Sequence, residues 1–145
     1  MAFLMQACHL LKERNIPFRL QIAGSEEVEG QFLPQFKQML GSQFEYCGIV
    51  SGETKDFFLR NLDVLVMPTF FEGLPMSLLE CMSYGVVPVI TPVGSVPTVV
   101  TDHQNGLFIK VKDAESIFDA ITYLHSHRDE LRQMSMSART CIFEN

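Results

Sequence analysis

Residues 63–90 read DVLVMPTFFEGLPMSLLECMSYGVVPVI, and this stretch decides the fold class. Val64-Leu65-Val66-Met67 is apolar at every position, which suits a strand covered on both faces, as in a parallel sheet. Pro68 closes it. Pro75 is the expected first residue of a helix that runs to Tyr84 and ends at Gly85. Within that helix Pro75, Leu78, Leu79 and Met82 follow i, i+3, i+4, i+7 and mark the buried stripe. Val86-Val87-Pro88-Val89-Ile90 then returns as a strand, with Pro88 removing one ladder hydrogen bond and pointing to an irregularity.

The same alternation extends in both directions. Upstream, Phe3, Leu4, Ala7, Leu10 and Leu11 have helical spacing, and Pro17 blocks further helix. Phe18 to Ala23 alternates like a strand and stops at Gly24-Ser25. An acidic loop, Glu26 to Gly30, leads to a helix carrying Phe32, Phe36, Met39 and Leu40, which Gly41 ends. Phe44 to Cys47 is a short strand, and Ser51 caps a helix over 52–61. Downstream come a short helical turn at 97–100, a turn at 103–106, a strand at 107–111 and two closing helices. Strand alternates with helix throughout, so the class is α/β with a doubly wound, mostly parallel sheet.

The chain has 145 residues, 47% of them hydrophobic and 19% charged, the size and balance of one globular domain. Eleven Lys and Arg against 17 Asp and Glu give a net charge of −6, which argues against nucleic acid or an anionic membrane as a general partner. No stretch reads as a transmembrane span or signal peptide. Cys8, Cys47, Cys81 and Cys141 are widely spaced and read as reduced thiols. His9, His103, His125 and His127 show no metal-ligand spacing, so no metal is expected. The phosphate-loop, dinucleotide and nucleophile-elbow motifs are all missing.

Ligands of open α/β sheets bind beyond the carboxyl ends of the strands. Three such ends stand out: Gly24-Ser25, Gly48-Ile49-Val50, and the loop from Pro68 to Pro75. In the last, Phe71-Glu72-Gly73-Leu74-Pro75 sets a carboxylate and a glycine before a helix start. The free N–H groups of Met76 and Ser77 there would suit a phosphate. At about 100° per residue Glu80 lies far round from the buried stripe, facing solvent or a cleft.

Phe71 to Gly85, FEGLPMSLLECMSYG, resembles the E-x7-E signature of retaining glycosyltransferases of family 4, with Glu72 and Glu80 at its two glutamates. Asp63 to Thr69 resembles the strand and loop before that signature. Gly85 to Ile90 resembles the "G-x-P-V-v" strand, and Val93 to Pro97 the "G-G-x-P-E" turn. Asn105-Gly106-Leu107-Phe108 and Phe44 to Val50 extend the likeness over nearly the whole chain.

The resemblance implies the C-terminal, donor-binding half of a Rossmann-like GT-B glycosyltransferase. The donor would be a nucleotide diphosphate sugar and the acceptor a glycan or lipid. Glu72 would lie by the donor sugar as the catalytic carboxylate, and Glu80 would hold the ribose hydroxyls. Gly73, Leu74, Pro75, Met76 and Ser77 would meet the sugar and diphosphate, and Gly24, Ser25, Gly48, Ile49 and Val50 would border the base. No metal or other cofactor is implied. Placement in the cytoplasm is implied too, peripheral to the inner membrane face in the intact protein.

There are also departures. The family's donor domain opens with a strand, a Gly-Arg turn and a Lys that grips the diphosphate. By that resemblance these residues are expected to open inside the helix that follows, at Ala2-Phe3-Leu4, without the acceptor domain. Thr98 replaces the Glu of the "P-E" turn, and Cys81 replaces an Ala. Each charge-assisted phosphate contact is worth about 1.5–3 kcal/mol, so these residues alone are expected to transfer no sugar. A missing first strand would leave a sheet edge open to self-association. The alternative is a non-catalytic binding or assembly module that keeps the fold.

Overall fold

The structure is a computed structural model that describes residues 1–144, with the backbone alone described for Val28 and Glu29. The elements run α1 (Ala2–Glu13), β1 (Leu20–Ala23), α2 (Glu26–Glu29), α3 (Leu33–Leu40), β2 (Phe44–Gly48), α4 (Gly52–Arg60) and β3 (Val64–Met67). They continue with α5 (Met76–Ser83), β4 (Val87–Ile90), β5 (Leu107–Phe108), α6 (Ala114–Ser126) and α7 (Arg128–Glu144). Short 3-10 turns fill Gly41–Gln43 and Val96–Thr98.

Every strand pair is parallel, as the alternation predicts, but the strands fall into two sheets. One has the order β1-β2, the other β3-β4-β5. Strand alternation builds layers on opposite faces of the larger sheet. Val64, Val66, Val87 and Val89 join a core cluster with Leu4, Ala7 and Cys8 of α1, Phe36 and Leu40 of α3, and Ile117 and Leu124 of α6. Leu65, Met67 and Ile90 point the other way, to Leu78 and Met82 of α5 and Ala138 of α7. Ile22 of the smaller sheet belongs to the first cluster, so α1 and its neighbours cover both sheets.

Several local expectations are corrected. β3 is covered on both faces, as its all-apolar run predicts, but stays half-buried along its length because it is an edge strand of its sheet; β4, the central one, is buried throughout. Pro88 introduces no irregularity. The N–H of Val87 donates to Asp63 O on the β3 side (3.0 Å), so Pro88 faces the other side, where pairing with β5 starts only at Val89. The register break lies between Ile22 and Ala23 instead. The acidic segment is a short helix, α2, capped by Ser25, and β1 and β5 are shorter than their apolar runs. Pro75 is the N-cap of α5 rather than its first residue, with ψ 131° holding it extended.

Candidate functional site

The loop from Pro68 to Pro75 begins where β3 ends and delivers Glu72 to the start of α5. Two anchors hold it. Thr91, fully buried, donates from its hydroxyl to Thr69 O (2.6 Å) and lies 3.2 Å from the Thr69 hydroxyl. Farther on, the Ser95 N–H donates to Gly73 O (3.0 Å). Gly94 beside it has φ +56°, and a Cβ there would stand 1.8 Å from Glu72 O, so only glycine lets this turn close on the loop. Residues 91–95 thus fasten the backbone on both sides of Glu72, whose side chain is half-exposed.

Among the described residues the first amides of α5 have no hydrogen-bond partner. Met76 and Ser77 are its first residues and both are exposed, and the Leu78 N–H turns back to Pro75 O (3.1 Å). Leu78 and Met82 anchor the helix in the core, with no exposed surface, so the opposite face stays free. Glu80 lies on that side, half-exposed, and Lys55 of α4 donates to its Oε1 at 2.5 Å. Next to it, burial and then the Glu80 charge push the Cys81 thiol up to about 11, which keeps it neutral and unreactive at ordinary pH.

The ends of β1 and β2 make a second group. The Gly24 N–H donates to Gly48 O (2.9 Å), and the Tyr46 hydroxyl donates to Gly24 O (2.5 Å). Gly48 takes φ +67° with open space beyond its Cα. Ile49 is exposed and Val50 half-buried, and Ser51 then caps α4. Ser25 is occupied as the α2 cap, accepting from the Glu27 N–H at 3.2 Å. The expected residues lie in two groups, one at the ends of β1 and β2 and one at the start of α5, and the Lys55–Glu80 pair joins α4, which follows the first group, to α5.

Sequence reasoning missed Lys55, Thr69, Thr91 and the part played by Gly94 and Ser95. Thr91, a polar residue after an apolar run, was the only local signal. A cavity of about 550 Å³ lined by Arg60, Ser83, Tyr84, Arg139 and Phe143 lies at the far end of α5. It lies beside the C-terminal ends of α4 and α5, away from Glu72 and the start of α5.

Comparison with known proteins gives a consistent result. The family model described as Glycosyl transferases group 1 matches residues 2–140. The putative colanic acid biosynthesis glycosyltransferase WcaL of Escherichia coli K12 is 26% identical over 143 residues, covering 93% of this chain and 35% of that protein. The C-terminal domain of the Francisella tularensis glycosyl transferase LpcC superposes with a TM-score of 0.84 at 18% identity, over 99% of this chain and 77% of that one. A point mutant of S. aureus TarM, in complex with fondaparinux, alpha-GlcNAc-glycerol and UDP, gives 0.88 at 19% identity, over 99% of this chain and 29% of that one. The chain covers between 18% and 35% of the length of the curated relatives it matches. These likenesses in shape show the fold, that of GT-B C-terminal domains. Among the described residues no helix is long and apolar enough to cross a membrane.

Proposed function

Because the chain belongs to the glycosyl transferases group 1 family, we propose that it is the donor-binding half of a retaining, family 4 hexosyltransferase. Its substrate is a nucleotide diphosphate sugar, and a glycan or lipid accepts the sugar through the rest of the enzyme. One observation carries this reading: an open first turn of α5, led in by Glu72 and followed by Glu80, beyond the carboxyl end of a parallel strand.

The chemistry follows from that geometry. Diphosphate oxygens meet the free N–H groups of Met76 and Ser77, where the helix dipole favours negative charge as the leaving group departs. Gly73 admits the sugar close to the backbone. Glu72 orients the sugar and offsets positive charge developing at its reacting carbon, with no covalent role required of it. Glu80 takes the ribose hydroxyls, and Gly24, Ser25, Gly48, Ile49 and Val50 border the base. In this reading the amides do the electrostatic work, and no metal is called for. The presence of UDP in the TarM complex supports the ligand class.

Titration with UDP-, GDP- and ADP-sugars, followed by amide NMR, tests it. Shifts are expected at Gly48, at Glu72, Gly73, Leu74, Met76 and Ser77, and at Glu80. A silent spectrum at millimolar ligand would overturn the reading. The chain by itself is expected to bind donor without transferring sugar, so glycosylated product in an assay with an acceptor panel would contradict that part.

A further inference from the structure

Lys55 is in an unfavourable place for a cation. It stands in the first turn of α4, four residues after the Ser51 cap, where the helix dipole opposes positive charge. Glu53, two residues earlier in the same turn, is the residue that the dipole suits. Yet the Lys55 ammonium is held 2.5 Å from Glu80 Oε1, across 25 residues of sequence. The two side chains are 37% and 40% exposed, and pairs that open to water add little to stability. The competing charge nearby is already engaged, since Asp56 accepts from Arg60 Nε (2.8 Å) and from the Tyr84 hydroxyl (2.7 Å).

The pair uses only half of the carboxylate. Among the described residues nothing donates to Glu80 Oε2, and an ionised carboxylate has about four acceptor positions. The helix start that carries Lys55 is closed, and the Lys55 N–H donates to Ser51 O (3.3 Å). Thr54 Oγ1 accepts from the Ser51 N–H (3.1 Å) and donates to Ser51 O (2.7 Å), closing the cap directly after the Gly48 loop. The chain therefore leads from the Gly24–Gly48 pair into the α4 cap, and Lys55 in the first turn of α4 meets Glu80.

We propose that Lys55 is a positioning residue: by holding Oε1 it turns Glu80 Oε2 toward the vicinal hydroxyls of the nucleotide's ribose. The proposal rests on the donor-site reading above and deepens it, because it makes discrimination for ribose depend on a residue of a different helix.

The test measures binding of UDP, GDP and ADP, and of their 2′,3′-dideoxy counterparts, to the full chain by calorimetry. The variants are Glu80→Gln, Lys55→Met, Lys55→Gln and Lys55→Arg, with amide spectra confirming the fold of each. The unsubstituted protein is expected to prefer one ribonucleotide over its dideoxy analogue by about tenfold or more, the worth of a charge-assisted hydrogen bond. Glu80→Gln, Lys55→Met and Lys55→Gln should each reduce that preference to about twofold, chiefly by weakening the ribonucleotide, and Lys55→Arg should restore it. If Lys55→Met and Lys55→Gln keep the preference while Glu80→Gln abolishes it, the role of Lys55 is refuted and the donor site stands. If loss of Lys55 weakens both nucleotides equally, it acts on phosphate charge and the proposal also fails. If no nucleotide binds the unsubstituted protein, the donor-site reading falls and takes this proposal with it.

Discussion

β4 and β1 are parallel strands of equal length, yet they live in different surroundings. β4 is central and buried at every residue, with helices on both faces. β1 buries only Ile22 fully and pairs on one side only, with β2. The two loops that make the candidate site inherit this difference. The loop carrying Glu72 is fastened by Thr91, Gly94 and Ser95, which continue directly from β4. The Gly24 and Gly48 loops are joined by bonds that include Gly24 N–H to Gly48 O and Tyr46 hydroxyl to Gly24 O, at the end of a two-stranded sheet. A carboxylate that must meet a reacting centre benefits from fixed placement. In the proposed reading, a loop that borders a flat base can be held more lightly.

The largest effects should come from the strands. Ile90→Ala is expected to destabilise by about 2–5 kcal/mol, in the upper part of that range, because nothing around a fully buried site can relax into the void. Ile22→Ala, at the thinner sheet, should fall near the bottom of it. Urea unfolding of both compares them directly, and equal losses would remove the contrast.

Next come the two glycines. Gly48→Ala meets only the left-handed backbone penalty of about 1–2 kcal/mol, since there is open space for its methyl. Gly94→Ala meets the same penalty and must also displace the Glu72 carbonyl. It should therefore destabilise more and weaken nucleotide-sugar binding, while Gly48→Ala leaves the Glu72 loop's amide shifts in place. Nucleotide-sugar titrations followed by amide NMR would show both.

A smaller loss is expected for Thr91→Val, about 1 kcal/mol for one neutral hydrogen bond, with broadened amide signals across residues 69–73. A change confined to stability, with those signals unaltered, would deny the fastening.

The smallest at neutral pH, and one that appears only in alkali, concerns α1, the helix that covers both sheets. Burial raises the Cys8 thiol to about 12, above its ordinary 9, so the folded state favours the protonated form. That contribution is complete below pH 9 and declines as pH rises toward about 12, at no more than about 1.4 kcal/mol per pH unit. Unfolding midpoints at pH 8 and 10.5 should differ less in Cys8→Ala than in the unsubstituted chain.

Much of this was legible in the chain itself. The apolar run at 64–67 announced a strand of a parallel sheet, and the spacing of Leu78 and Met82 gave the buried face of α5, which set Glu80 on the other side. The resemblance supplied both glutamates. Where reading stumbled, local chemistry had been asked a non-local question. Whether an all-apolar strand is central or at an edge depends on its neighbours, and β3 and β4 look alike until the pairing is known. Pro88 reads as a defect only while the side on which its absent N–H would point is unknown.

Local periodicity, cap residues and turn glycines determined the elements, their order and the parallel class, because those preferences act over a few residues. Only the folded chain decided that Lys55 would meet Glu80, that Gly94 would close on Glu72, and that the strands would divide into two sheets. Each of those depends on backbone segments far apart in sequence reaching contact distance, and no short stretch encodes which partner it will find.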